Sequence, residues 1–299
     1  MILWKGLRKT LSSKDEAGAF VEVNGFKLFY MIFGSGSDVL LCLHGGPGGT
    51  HYSLLPLGKL GDDKIKVVLY DQLGCCNSEK PKDIGIFTIK HYVEEVEGIR
   101  QALNLGKINL MGHSWGGMLA LEYALKYQQN LKKLILTGSL ASVPEYCTET
   151  ARLKTLLPTD VQETLDKYET LWAFWHPDYQ KAVDVWNRNF LCRLPQLPED
   201  LTRSRNHLSA PVYYTMWGPN EFTALGKLRD WDITARLSEI DVPTLVACGR
   251  YDEVTPQIAE RIHDRIRGSK LVILENSAHA VMWEEEQKYL TAVREFVLS

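Results

Sequence analysis

A serine between two glycines stands where an apolar run gives way to a helical pattern, and this arrangement constrains the fold most strongly. The motif GHSWG (112–116) follows the apolar run 108–111 and precedes a helical segment that extends to residue 127. Glycines beside a serine permit a tight strand-to-helix turn that exposes the hydroxyl near the helix N-terminus. The motif predicts that Ser114 is a nucleophile. The alternative is a glycine-rich turn in which the serine only caps the helix.

The surrounding segments alternate between buried strands and amphipathic helices. Short apolar runs at 39–43, 66–70, 108–111 and 134–136 are typical of strands covered on both faces of a parallel sheet. Helical patterns separate them, and Thr88 is predicted to cap the first helix. Segment 19–33 alternates apolar and polar residues around Asn24-Gly25, which predicts an antiparallel hairpin. We expect an α/β fold with a mostly parallel central sheet, helices on both faces and ligands at the carboxyl ends of the strands.

Between residues 141 and 231 the alternation stops, and helical patterns take its place. We expect an inserted helical subdomain here, called the cap (141–231), on an α/β core formed by 1–140 and 232–299. A capping box of Thr159 and Gln162 predicts the start of one cap helix. The cap is rich in aromatic residues, which we expect mostly to form its own small core, although their number suits a lined pocket. These residues are Trp172, Phe174, Trp175, Tyr179, Trp186, Phe190, Tyr213, Tyr214 and Trp217.

Charge and cysteine usage exclude several classes of partner. The 299 residues carry a net charge of -3, with lysine and arginine scattered, so we expect no nucleic acid and no anionic membrane surface as partner. No run is long enough to span a membrane. The N-terminal segment reaches Lys5 and Arg8 too early to hold the apolar core of a secretory signal. The six cysteines are scattered without CxxC spacing, which indicates reduced thiols in a cytoplasmic protein.

Two further residues complete a candidate catalytic triad. A serine hydroxyl needs a base to take its proton, and the base needs an acceptor that fixes its tautomer. Asp252 follows the apolar run 243–248, and His279 follows the run 270–274. The order serine, acid, histidine, each after a strand, is the order of this type of hydrolase. Taken singly, Asp252 could cap the helix that begins near Pro256, and His279 could be an ordinary loop histidine.

A glycine-rich loop, HGGPGG (44–49), directly follows the run 39–43. Such glycine density allows a backbone to approach a ligand closely, whereas the alternative is a merely flexible loop. We expect the backbone N–H groups of Gly46 and Trp115 to form an oxyanion hole. Acyl transfer at such a site requires no metal and no organic cofactor.

Five motifs together resemble the proline iminopeptidases, serine peptidases of the α/β-hydrolase fold. They are HGGPGG (44–49), DQLG (71–74), GHSWGG (112–117), WGPNEF (217–222) and YDEVTP (251–256). Within this family the chain is most similar to the archaeal tricorn-interacting aminopeptidases. The resemblance implies the α/β-hydrolase fold, release of N-terminal proline from short peptides with a free N-terminus, and functional association with a larger peptide-producing protease. Cys76 stands where the family usually has glycine, a departure that concerns the shape of that loop and not the triad.

The resemblance also implies a site for the substrate's α-amino group. It assigns amine binding to Glu221 and Glu253, with Tyr213 lining the same site. A protonated amine loses hydration in a partly dry pocket, and nearby carboxylates compensate for that loss. Without the resemblance, Glu221 could equally be a surface glutamate in a salt bridge. The alternative functions are an esterase, lactonase or amidase of the same fold, and a non-catalytic ligand receptor on a hydrolase scaffold.

Overall fold

A single eight-stranded sheet organises the computed structural model, which describes residues 18–299. The strands are β1 (Ala19–Val23), β2 (Phe26–Phe33), β3 (Asp38–Leu43), β4 (Ile65–Tyr70), β5 (Ile108–His113), β6 (Leu131–Thr137), β7 (Thr244–Gly249) and β8 (Lys270–Leu274). Their order across the sheet is β1-β2-β4-β3-β5-β6-β7-β8. The pairs β1/β2 and β2/β4 are antiparallel, and all the other pairs are parallel. Lys5 and Arg8, on which the prediction of no secretory signal rests, lie outside the described residues.

The predicted hairpin and the four predicted buried strands are confirmed. Asn24 and Gly25 connect β1 to β2 with φ angles of 52° and 81°, as a two-residue turn with two left-handed residues requires. The four apolar runs are β3 to β6, and their residues are almost all buried. Parallel strands covered on both faces need apolar residues at successive positions, which explains why these runs do not alternate.

Helices cover both faces of the sheet. They are α1 (Ile89–Ala102), α2 (Trp115–Tyr127), α3 (Val143–Lys154), α4 (Thr159–Thr170), α5 (Pro177–Trp186), α6 (Glu199–Asn206), α7 (Ala210–Met216), α8 (Pro256–Arg265), α9 (Val281–Glu284) and α10 (Glu286–Leu298). Along β3, Leu41 belongs to the core that contains α1, α2 and α8, whereas Leu40 belongs to the core that contains α10. The Thr88 hydroxyl caps α1 by accepting the His91 N–H at 3.2 Å, as predicted. The predicted fold class is therefore confirmed.

Helices α3 to α7 occupy the connection between β6 and β7, where the cap was predicted. The two ends of this insertion pair with each other in an antiparallel bridge between Ser142 and Asp232. The Val143 N–H donates to the Trp231 carbonyl at 2.9 Å, and the Ile233 N–H donates to the Ala141 carbonyl at 2.9 Å. The predicted boundaries at 141 and 231 fall on this bridge, which brings the chain back to the core where it left.

The predicted capping box at Thr159 is wrong. Thr159 is already inside α4, and Pro158 occupies the N-cap position without a side-chain cap. The Pro158 carbonyl accepts the N–H groups of Val161 and Gln162 at 3.0 Å each. The Gln162 side chain donates instead to the Leu157 carbonyl at 2.7 Å. A proline fixes an extended entry into the helix one residue earlier than the capping box assumed.

The aromatic residues of the cap divide among three environments. Tyr179, Trp186 and Phe190 belong to a separate core inside the cap. Tyr213 and Trp217 instead join the main core beneath it. Trp172, Trp175 and Tyr214 are exposed. The interpretation of a small internal cap core therefore holds for part of the set.

Two remaining predictions concern the state of the cysteines and the presence of membrane-spanning segments. All six cysteines are free, as predicted, and the two that lie in strands, Cys42 in β3 and Cys248 in β7, are fully buried. Within residues 18–299, no helix combines the length and the apolar character that a membrane crossing requires.

Candidate active site

Ser114 lies at the tight turn between β5 and α2. Its backbone angles, φ 55° and ψ −124°, are far from those of a helix or strand, and its N–H donates to the Thr137 carbonyl at 2.9 Å. A Cβ atom at Gly112 would lie 2.1 Å from the Gly116 carbonyl oxygen, and one at Gly116 would lie 2.2 Å from the Leu43 carbonyl oxygen. Both glycines of the motif are therefore needed for the close backbone contacts that hold this turn.

His279 and Asp252 are in direct contact at the same edge of the sheet. The His279 Nδ1–H donates to Asp252 Oδ1 at 2.8 Å, and both residues are buried. Asp252 Oδ1 also accepts the Val254 N–H at 2.8 Å, which orients the carboxylate. With Nδ1 occupied, Nε2 is the nitrogen left for substrate chemistry. Ser114 and His279 line one cavity, with Asp252 behind the imidazole.

Negative charge around His279 controls its protonation. Burial lowers the pKa of His279, but the charges of Asp252, Glu253 and Glu221 outweigh burial and raise this pKa to about 9. The neighbouring imidazole of His113 lies 4.6 Å away between ring centroids, and burial lowers the pKa of His113 to about 3. Of this pair, only His279 is therefore charged at neutral pH.

The glycine-rich loop after β3 passes directly against the nucleophile. A Cβ atom at Gly45 would lie 3.1 Å from the Cβ of Ser114. Gly46 and Trp115 border the same narrow recess as Ser114. Trp115 is the first residue of α2, and the first N–H groups of a helix have no acceptor within the helix. Gly46 and Trp115 therefore both lie beside Ser114, and the oxyanion hole formed by their N–H groups stays a prediction.

Gln72 connects the glycine loop to the nucleophile helix, a role that sequence analysis missed. Its Nε2 donates to the His44 carbonyl at 3.1 Å, and its Oε1 accepts the Trp115 indole N–H at 2.8 Å. The Gln72 backbone N–H also donates to His44 Nε2 at 3.1 Å. Gln72 lies within the motif DQLG (71–74), but the motif does not show that this side chain bridges two other loops.

Gly138, directly after β6, makes room for the His279–Asp252 pair. Its φ is 49°, and a Cβ atom there would lie 2.9 Å from both Asp252 Oδ2 and His279 Nδ1. Any larger residue would push against the pair. In the sequence, this role is indicated by a glycine directly after a predicted buried strand. That position does not show which side chains lie beside the glycine.

The two glutamates predicted for amine binding face one recess. Glu253 is 2% exposed, and its Oε2 accepts the Trp186 indole N–H at 2.9 Å. Burial, followed by the charge of Glu221, raises the pKa of Glu253 to about 8. Burial also raises the pKa of Glu221, and hydrogen bonding from Tyr213 is among the opposing influences. Within residues 18–299, Glu221 forms no ion pair, so it does not behave as the surface salt-bridge residue that was the alternative.

The backbone of Glu221 and the walls of the recess are held by aromatic side chains. The Glu221 carbonyl accepts the Trp217 indole N–H at 3.0 Å and the Tyr146 hydroxyl at 3.2 Å. The rings of Tyr146 and Trp217 pack edge to face, with centroids 5.6 Å apart. Six apolar residues wall the recess: Trp115, Met118, Leu140, Tyr146, Trp217 and Val254. The recess therefore combines apolar walls with two carboxylates beside Ser114.

The cap rests directly on the loops that carry His279 and Glu253. The Phe190 carbonyl accepts the N–H groups of both residues at 3.3 Å, and the Leu191 carbonyl accepts the Ala280 N–H at 2.9 Å. Phe190 and Leu191 belong to a π-helical turn, Asn187–Leu191, that continues α5. This turn therefore joins the cap to the loops that carry Glu253 and His279. Nothing in the sequence predicted this contact.

Cys76 adopts the backbone conformation that a glycine would favour. Its φ is 35°, so the departure from the family pattern leaves the loop in a left-handed turn. Cys76, His51 and Asp71 each offer a potential metal-ligand atom within 4.8 Å of one another. Asp71 Oδ1 already accepts both the N–H and the Nδ1–H of His51 at 2.9 Å, and Oδ2 accepts the Asn77 N–H at 3.1 Å. These bonds satisfy the carboxylate, so the cluster serves as a hydrogen-bonded support for the loop.

A cavity of about 600 Å³ opens from Ser114 and His279 towards the cap. This volume is in the range of sites that enclose small organic ligands. One side is formed by α5 and the π-helical turn, and another by α6 and the segment after it. A strained serine turn, a buried histidine–carboxylate pair and a glycine loop at the carboxyl edge of a parallel sheet define the protein as an α/β hydrolase.

Comparison with known proteins identifies the family of α/β hydrolases to which the chain belongs. A family model described as alpha/beta hydrolase fold matches residues 38–286. A proline iminopeptidase of Saccharolobus solfataricus is 46% identical over 277 residues, covering 92% of this chain and 89% of that protein. One from Thermoplasma volcanium is 40% identical over 289 residues, covering 95% and 97%. The chain belongs to the proline iminopeptidase family of α/β hydrolases, as its motifs had suggested.

Solved structures agree with this assignment. The crystal structure of proline iminopeptidase from Mycobacterium smegmatis superposes with a TM-score of 0.88 at 29% identity, covering 94% of this chain and 97% of that one. The crystal structure of VinJ superposes with a TM-score of 0.90 at 33% identity, covering 95% and 98%. The likeness extends over both the sheet and the segment between β6 and β7.

Proposed function

We propose that this protein is a serine aminopeptidase that hydrolyses the first peptide bond of short peptides and prefers N-terminal proline. The observation that carries the proposal is the pair of carboxylates, Glu221 and Glu253, in the recess beside Ser114. A hydrolase of simple esters has no use for two largely desolvated carboxylates next to its nucleophile. A substrate with a protonated N-terminus compensates their burial.

The reaction follows from the positions of three side chains. His279 Nε2 removes the proton from the Ser114 hydroxyl as Oγ attacks the carbonyl carbon of the first residue. Asp252 holds Nδ1–H and stabilises the imidazolium that forms. The backbone N–H groups of Gly46 and Trp115 bind the developing oxyanion. His279 then gives its proton to the leaving amine, the C–N bond breaks, and water repeats the sequence to release the acyl group from Ser114.

Substrate selection depends on the recess. The first residue of the peptide lies against the apolar walls that Tyr146 and Trp217 form beside Ser114. Its amino group meets Glu221 and Glu253, with Tyr213 beside them. An internal peptide bond would place an uncharged amide against both carboxylates. The recess therefore discriminates for chain ends.

The decisive experiment compares free and N-acetylated prolyl arylamides, alanyl arylamide and a simple ester on the same enzyme. The free prolyl substrate should have the highest kcat/KM, and acetylation should reduce kcat/KM by at least 100-fold. Ser114→Ala should abolish turnover without changing the thermal unfolding temperature. Turnover that survives N-acetylation, or a fluorophosphonate that does not label Ser114, would show that the activity is different.

Variants of the amine site separate binding from chemistry. Glu221→Gln should mainly raise KM for free-amine substrates, because the variant keeps the shape of the residue and loses its charge. Glu239→Gln is the matched control, since Glu239 is exposed and pairs only with Arg236 among the described residues. Unchanged kinetics of Glu221→Gln would remove this residue from the site.

We also propose that the enzyme acts in the cytoplasm on peptides released by a larger protease. Six free cysteines support a reducing compartment. The limited volume of the cavity supports short peptides as substrates. Fractionation of the source cells should recover the activity with cytoplasmic markers, and recovery with exported proteins would contradict this placement.

A further inference from the structure

We propose that Arg205 binds the C-terminal carboxylate of the substrate, so that the cavity selects short peptides with both ends free. This inference rests on the proposed aminopeptidase activity and specifies its substrate class.

Arg205 lies on a wall of the catalytic cavity that is fixed to the core. Leu201, Ser204, Arg205 and Leu208 line the cavity at helical spacing, along α6 and the residues that follow it. Ser204 is buried, and its Oγ accepts the Thr50 hydroxyl at 3.0 Å. This bond ties α6 to the segment that follows the glycine loop. Arg205 therefore projects from a positioned helix.

Two arginines line the cavity, and their surroundings differ. The Arg188 Nε donates to the backbone carbonyl of Asp184 at 3.2 Å, so this guanidinium already has an acceptor within the protein. In the part of the chain that the structure describes, the Arg205 side chain forms no hydrogen bond and no ion pair. An exposed guanidinium without a protein acceptor, facing a ligand cavity, suits a carboxylate of the ligand.

The charges along the cavity match a short zwitterionic peptide. Glu221 and Glu253 line the recess beside Ser114, and Arg205 lines the larger cavity that also contains Ser114. Burial raises the pKa of Glu221, and the positive charge of Arg205 is close enough to be one of the influences that oppose this rise. An extended chain advances about 3.5 Å per residue, so a dipeptide or tripeptide spans roughly 7–11 Å. In the proposed complex, the amino end of such a peptide meets the carboxylates and its carboxyl end meets Arg205.

The exposure of Arg205 limits how much a free C-terminal carboxylate can improve kcat/KM. A charge pair in contact with solvent contributes modestly and is screened by salt. We expect a free C-terminal carboxylate to improve kcat/KM by between about threefold and tenfold over the corresponding amide.

The test measures kcat/KM for Pro-Ala-Ala and Pro-Ala-Ala-amide with the wild-type enzyme, Arg205→Ala and Arg205→Lys. The wild type should prefer the free acid, Arg205→Ala should bring the two values together, and Arg205→Lys should keep part of the preference. Arg229→Ala is the matched control, because Arg229 is an exposed arginine of the same insertion that pairs with Asp230. The preference of the wild type should also decrease in 1 M salt, where screening acts within about 3 Å.

Calorimetric binding of the same two peptides to Ser114→Ala reports affinity without turnover and should show the same ratio. Equal kcat/KM for acid and amide in the wild type would overturn the inference and leave the aminopeptidase activity standing. An equal loss for both peptides in Arg205→Ala would also overturn it, since it would indicate a structural role. Cleavage of neither peptide would overturn the proposed function and this inference with it.

Discussion

Replacing Glu253 with glutamine should make the nucleophile reactive at lower pH while weakening turnover of peptides. Glutamine keeps an oxygen acceptor for the Trp186 indole N–H, so the packing of this buried position is preserved. Above the pKa of Glu253, which is about 8, the change removes one negative charge near His279. That charge helps to keep the imidazole protonated, and a protonated imidazole cannot take the proton of Ser114.

The magnitude can be worked from the pKa of His279. Despite burial, Asp252, Glu253 and Glu221 raise this pKa from 6.5 to about 9. If the three charges share the increase, losing one lowers the pKa by roughly one pH unit, equivalent to about 1.4 kcal/mol. At pH 8.5, where Glu253 is largely ionised, the neutral fraction of His279 would rise from about 25% to about 75%. Because Glu253 titrates near the same pH, the wild-type midpoint belongs to the coupled pair.

The assay is the rate of labelling by a fluorophosphonate without an amino group, followed by intact-protein mass spectrometry from pH 6 to 10. The wild-type rate should increase with pH to a midpoint near that of the His279–Glu253 pair, and Glu253→Gln should label about threefold faster at pH 8.5. Its kcat/KM for prolyl arylamide should fall, because amine binding loses a carboxylate. Glu239→Gln should match the wild type. A midpoint that does not move, or a wild-type midpoint at the ordinary imidazole value, would refute the reasoning.

Three further predictions concern residues outside the triad. Gly138→Ala should lower kcat by about 100-fold, because the added methyl would displace the catalytic imidazole; a normal kcat with normal folding would contradict this. Gln72→Leu should lower the free energy of unfolding by about 2–4 kcal/mol in urea titrations, since it leaves the His44 carbonyl and the Trp115 indole N–H unpaired; a loss below about 1 kcal/mol would show that these bonds contribute little. Burial raises the pKa of Glu95 from 4.5 to about 8, so the native state holds a proton that the unfolded chain has released, and the wild type loses stability as pH rises through this window. Glu95→Gln should therefore be the more stable protein at pH 8.5, by at most about 5 kcal/mol, and thermal melts that show the same difference at pH 5 and pH 8.5 would exclude this effect.

Local features of the sequence were sufficient for most of the sheet. Apolar runs without alternation predicted β3 to β6, because a strand covered on both faces needs apolar residues at successive positions. Asn24-Gly25 predicted the hairpin, since both residues accept left-handed backbone angles. The GHSWG motif predicted the tight turn at Ser114, because glycines beside the serine permit close backbone contacts. The start of α4 was predicted wrongly, because the effect of Pro158 on helix entry outweighed the capping preference of Thr159.

The motifs also indicated which residues to consider at the site, but their mutual contacts come from the tertiary structure. Sequence order placed Ser114, Asp252 and His279 after parallel strands, whose carboxyl ends share one edge of the sheet. Sequence order could not show that Phe190 in the cap accepts hydrogen bonds from the loops of the triad region. Nor could it show that Gln72 bridges two loops.

There is a physical reason why the sequence determines some of these features and the tertiary structure decides the others. Strands, tight turns and nucleophile geometry depend on residues within a few positions of one another, so the order of amino acids determines them. The space beside Gly138, the support of Glu253 by Trp186 and the exposure of Arg205 to the cavity depend on how distant segments pack. Packing of the cap on the sheet brings these side chains together, and only the tertiary structure decides which of them meet.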